Sequence, residues 1–75
     1  MNAPTIREQV ENKIFELLEQ HPEGLNWTDL AKMVQVPDNR FHPKTVNGII
    51  WKIPNKYPDQ IYKPAKGIFR LIKYR

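Results

Sequence analysis

Apolar residues along the chain recur with a helical period three times and then switch to alternation. Ile6, Val10, Ile14, Leu17 and Leu18 return every three or four positions, the spacing of one helix face. Thr5-Ile-Arg-Glu8 just before them has the form of a capping box, in which Thr5 accepts from the Glu8 amide and Glu8 reaches back. The first helix is therefore expected to run to about Gln20, where His21-Pro22-Glu23-Gly24 stops it. Trp27, Leu30, Ala31 and Val34 make a second apolar face behind Asn26 as N-cap, and this helix ends before Pro37. Leu25, between the two, is compatible with a very short strand. QVPDNRFH reads as a loop with Phe41 as an apolar plug. A third helix starts near Pro43, where a missing N–H costs nothing at the first position. It is carried by Val46, Ile49, Ile50 and Ile53 and closed by Pro54, giving about 43–53. Beyond the turn-rich NKYPDQ, two β-prone segments, about 60–63 and 67–73, are joined through Pro64-Ala65-Lys66-Gly67. The pattern predicts a mainly α fold with a small β hairpin (α+β). It is a winged helix-turn-helix, three helices followed by a two-stranded wing, in a single domain over residues 1–75.

Composition narrows the reading. At 75 residues, burial and chain entropy nearly cancel, so the fold must use its apolar residues efficiently, and 40% hydrophobic content is enough for that. The absence of cysteine removes disulfides and thiolate metal sites and fits a reducing compartment. No apolar run nears the roughly 18 residues that span a bilayer, and MNAPTIREQ lacks the apolar stretch of a signal peptide. The expected setting is soluble and intracellular: cytoplasmic, and nucleoid-associated in a bacterium.

Charge changes the picture more. The net charge is +4, but residues 1–36 carry three cations against six anions, while residues 37–75 carry nine against two. Segregation of this kind suggests one side meant for a polyanion, nucleic acid before anionic membrane. With Val46, Ile49, Ile50 and Ile53 turned inward, helix 3 exposes Lys44, Thr45, Asn47, Gly48, Trp51 and Lys52. Lys, Asn and Thr can hydrogen-bond base edges or phosphates. The second helix of a helix-turn-helix pair enters the major groove by its N-terminal residues. Gly48 is costly inside a helix and has two explanations, close approach by a sugar-phosphate strand or close packing on helix 1 or 2. Trp51 either covers the base of the hairpin, the favoured reading for a large aromatic, or stacks on a sugar or base. In the hairpin, Phe69 and Leu71 are expected inward and Arg70 outward, with Lys63, Lys66 and Arg70 straddling phosphates beside helix 3. The candidate DNA-binding residues are Arg40, Lys44, Thr45, Asn47, Trp51, Lys52, Lys63, Lys66 and Arg70, and double-stranded DNA is the expected partner.

LNWTDLAKMV, TVNGIIWKI and IYKPAKGIFRL resemble the HARE-HTH group of winged-helix domains, found in restriction-linked and chromatin-linked proteins. The similarity is best at Gly67-Ile68-Phe69-Arg70-Leu71. It implies a non-catalytic DNA-binding module, often attached to other domains, with roles in transcription regulation or restriction-modification. The loop before helix 3 and Pro54 depart from the pattern. Nothing in the residues favours catalysis. There is no Cys or Ser, His21 and His42 both precede prolines, no carboxylate spacing supports a metal, and no Gly-rich phosphate loop occurs. No cofactor is expected. Two other partners stay open. A protein could dock on Ile68, Ile72, Trp51, Tyr57 and Tyr74, and single-stranded nucleic acid or RNA could stack on Trp51 and the tyrosines.

Overall fold

Thr5 caps the first helix as its sequence predicts, accepting the Glu8 amide at 3.1 Å, while the Glu8 carboxylate meets the Thr5 hydroxyl at 3.4 Å. The structure, a computed structural model, describes residues 5–35 and 41–75. Helix α1 spans Ile6–Gln20 and buries Val10, Ile14, Leu17 and Leu18. A two-residue strand β1, Leu25–Asn26, leads into α2, Trp27–Val34. Asn26 caps α2 by accepting the Asp29 amide at 2.8 Å. Helix α3, Pro43–Lys56, turns Val46, Ile49, Ile50 and Ile53 inward. Strands β2, Ile61–Ala65, and β3, Ile68–Leu71, follow, and a 3₁₀ turn closes the chain over Ile72–Tyr74. All helix pairs touch, and β3 packs on α1. The shared core has Val10, Ile14, Leu18, Leu30, Ile50, Ile53 and Phe69 at 0% exposure. This is a mainly helical, winged-helix-like α+β fold.

The sheet has three strands, not two, in the order β1-β3-β2, all antiparallel. Leu25 pairs with Phe69 and Asn26 with Ile68. The third strand depends on Gly24. Its φ of +94° lies where L side chains are strained, and a Cβ there would stand 2.8 Å from the Phe69 carbonyl oxygen. A glycine lets the backbone turn directly onto β3. The Trp27 amide then bonds the Gly67 carbonyl at 2.8 Å. Between β2 and β3 the register slips by one residue, between Tyr62–Arg70 and Ala65–Ile68. The extra residue falls at Lys63-Pro64, a bulge on an outer strand, which is where a sheet tolerates proline. β2 therefore extends past the expected residue 63, while β3 stops at Leu71 because the chain turns into the 3₁₀ segment.

Helix α3 continues through Pro54 to Lys56, and the Tyr57 amide bonds the Ile53 carbonyl at 2.9 Å. The expected end at residue 53 is corrected by tertiary contacts. Proline removes one amide bond, to the Ile50 carbonyl, and strains the turn. Anchors beyond it hold the helix on course. Lys56 Nζ lies 2.9 Å from Glu11 Oε2, the Tyr57 hydroxyl donates to Glu11 Oε1 at 3.0 Å, and the Tyr57 ring meets Phe15 edge-on at 5.2 Å.

At the other end of α3, Gln35 acts as a clasp. Its side-chain amide donates to the Phe41 carbonyl at 2.6 Å and accepts the Phe41 N–H at 3.0 Å. Phe41 packs against the core, so both ends of the α2–α3 connection are fixed to each other. That sets how α3 is presented.

Candidate nucleic-acid interface

Six residues of the outward face of α3 follow from the inward set. Lys44, Thr45, Trp51 and Lys52 are exposed, and Asn47 and Gly48 half-buried. Because α3 runs past Pro54, Asn55 joins this face as an exposed residue four positions beyond Trp51. Ending the helix at residue 53 hides it from a sequence reading.

The N-terminus of α3 is partly closed. Pro43 has no N–H, the Lys44 amide is taken by His42 Nδ1 at 3.1 Å, and the Val46 amide bonds the His42 carbonyl at 3.1 Å. Anion contacts at this end fall to side chains more than to backbone amides.

Trp51 links α3 to the wing. Its ring meets Phe69 edge-on at 5.6 Å and 71°, and lies 6.1 Å from Trp27. It thus covers the base of the hairpin, yet 40% of it is exposed. Lys63 Nζ sits 5.5 Å from the Trp51 centroid, within cation–π range. Lys63 belongs to the bulged segment of β2. A Cβ on Gly67, at φ +77°, would meet Trp27 Cδ1 at 3.2 Å, so the hairpin turn bearing Lys66 lies against the second indole. Trp51 and Trp27 therefore connect α3 to Lys63 and to the hairpin turn that bears Lys66.

Arg70 points elsewhere. Its neighbours Phe69 and Leu71 are buried, and alternation puts Arg70 with Tyr62 on the other face of the sheet. Its Nε donates to the Pro22 carbonyl at 2.6 Å, Nη2 to the Tyr74 carbonyl, and Nη1 meets the Tyr62 hydroxyl at 3.5 Å. The guanidinium fastens three segments together and is not grouped with Lys63 and Lys66. Arg40 lies outside the described residues.

Two acids of the N-terminal half are taken up by cations of the other half. Glu19 pairs with Lys73, and Glu11, only 5% exposed, pairs with Lys56. By contrast Arg7, Lys44, Lys52, Lys63 and Lys66 have no ion-pair partner among the described residues. Arg7 is a further addition. It lines a groove of about 400 Å³ between α1 and α3 together with Lys44, Thr45, Gly48 and Lys52. Its place in an acid-rich half conceals it, and only the packing of α1 on α3 reveals it.

The Lys56 pKa is raised from its ordinary 10.5, mainly by the hydrogen bond it donates to Glu11, while burial and nearby Arg7 oppose the shift. A raised folded-state pKa gives stability that is whole below the unfolded value and lost as pH climbs through the folded one. The stability difference between wild type and Lys56→Met is thus expected to shrink as pH rises past about 10.5, as followed by thermal melts in alkaline buffers.

Gly48 loses one of its two explanations. A Cβ there would meet nothing within 4 Å, so packing on a neighbouring helix does not require it. It nevertheless costs the helix about 1 kcal/mol against alanine.

Of the residues named for a protein-docking surface, Tyr57 and Tyr74 pack partly buried on the core and donate their hydroxyls to Glu11 and Glu19. Ile68 and Ile72 are half-buried, which leaves Trp51 as the exposed one. Among the described residues no three His, Asp or Glu gather as metal ligands, and no helix is long and apolar enough to cross a membrane. Comparison with known protein families, curated proteins and solved structures finds no match to this chain.

Proposed function

We propose that this chain is a non-catalytic DNA-binding module that lays α3 in the major groove and sets the β2–β3 turn on the phosphate backbone beside it. One observation carries the reading. Lys44 and Lys52 on α3 and Lys63 and Lys66 on the wing are exposed and have no ion-pair partner among the described residues, and Lys63 reaches Trp51 of α3, while Glu11 and Glu19 are taken up by Lys56 and Lys73. Asn47 and Asn55 on the outward side of α3 supply donors and acceptors of the kind that read base edges. The helix-turn-helix order and the resemblance to HARE-HTH domains support the same partner, and an intracellular, DNA-associated setting follows from it.

Affinity is expected to be mostly electrostatic. Four lysines on four phosphates give a slope of log K against log salt near about −3.6. Lys66→Glu is expected to weaken every duplex alike, whereas Asn47→Ala should weaken some sequences more than others. Fluorescence anisotropy with several short duplexes over a salt series measures both. An intact fold with no duplex binding at low salt would end this reading.

A further inference from the structure

The groove between α1 and α3 has features that a helix in a major groove does not by itself require. Arg7 on α1 and Lys44 and Lys52 on α3 line it with cations, buried Ile49 and Ile53 give it an apolar floor, and exposed Ile6 stands at its edge. Glu11 also borders it, but both its carboxylate oxygens are taken, by Lys56 and Tyr57. Gly48 lies between the two lysines, one helical step of four residues from each, with open space where a Cβ would be. A glycine inside a helix weakens that helix, and no group within 4 Å of its Cβ position accounts for it. The open space leaves room for a group from outside the chain.

The shape and charge identify the occupant. Lys44 and Lys52 are eight residues apart, about 12 Å along the helix axis, which spans several steps of a strand rising about 3.4 Å per nucleotide. Three cations spread over that length address a run of phosphates, not a single ion. The apolar floor suits the carbon face of the sugars. Resting on the DNA-binding reading above, we propose that this groove seats one sugar-phosphate strand of the duplex. The strand comes closest to the chain at Gly48. Arg7, from a helix outside the helix-turn-helix pair, clasps a phosphate from the far rim, and the Thr45 hydroxyl donates to one beside it.

Two substitutions test the seat against a short duplex, with Lys66→Glu as reference. Gly48→Ala adds one methyl to the floor and improves the helix. It is expected to raise the melting temperature by about 4–8 °C while weakening duplex binding about tenfold, the scale of one lost contact. With Arg7 as a fifth phosphate contact the wild-type slope steepens to about −4.5, and Arg7→Ala is expected to leave the melting temperature unchanged and to return the slope to about −3.6. If Gly48→Ala binds as tightly as wild type, or Arg7→Ala keeps the full slope, while Lys66→Glu still weakens binding, the strand seat is wrong and the broader reading stands. If wild type binds no duplex at all, both fall together. The gain in stability shows that a weaker Gly48→Ala complex is not a folding defect.

Discussion

Phe69→Ala is expected to remove about 3–5 kcal/mol of stability, the usual cost of deleting a buried aromatic. The side chain is fully buried on the central strand of the sheet and meets the Trp51 ring edge-on at 5.6 Å. Its backbone is the partner of Leu25 in β1. Deleting the ring opens a cavity where α1, α3 and the sheet meet, and it takes away the surface on which Trp51 rests. Small domains hold about 5–15 kcal/mol in total, so much of the variant should be unfolded under conditions in which wild type is not. Urea denaturation followed by tryptophan emission measures the loss. Phe69→Leu should cost distinctly less, because it keeps most of the buried volume. Equal costs for the two would mean that the ring contact, not the cavity, dominates.

Arg70→Met separates holding the fold together from touching DNA. The guanidinium donates to the carbonyls of Pro22 and Tyr74 and meets the Tyr62 hydroxyl. It thereby joins the turn after α1, the outer strand and the closing 3₁₀ turn. Hydrogen bonds to charged groups are worth about 1.5–3 kcal/mol each, and partial exposure reduces their sum. A loss of about 2–3 kcal/mol is expected. The salt slope of duplex binding should stay as in wild type, whereas Lys63→Met should flatten it by about 0.9. A flattened slope in Arg70→Met would return that residue to the phosphate contacts.

These two residues also show what a sequence can and cannot disclose. Alternation places Phe69 inside and Arg70 outside, and both stand there. Alternation says nothing of a carbonyl at Pro22, 48 positions earlier, that waits for the guanidinium. Helix starts were legible because their causes are local, as with Thr5 on Glu8 and Asn26 on Asp29. The end of α3 was not. Proline at position 54 argues locally for a stop, and the contacts that overrule it come from Glu11, more than forty residues away. That misplaced end hid Asn55. The short strand at Leu25 could be suspected, but its pairing depends on a positive φ at Gly24 and a close approach to β3, both tertiary facts. Lys44, Thr45 and Lys52 were readable from the helical period. Arg7 was not, since only packing carries it across to α3.

The uneven distribution of charge bears on stoichiometry. Exposed Glu8 and Glu16 on the outer face of α1, with exposed Glu23 just past its end, would repel any polyanion arriving from that direction. On the proposed DNA-binding reading, such a molecule would offer DNA one attractive side and one repulsive one. It would sit along a double helix in many copies, but would be ill suited to cross-linking two of them or to condensing DNA into bundles.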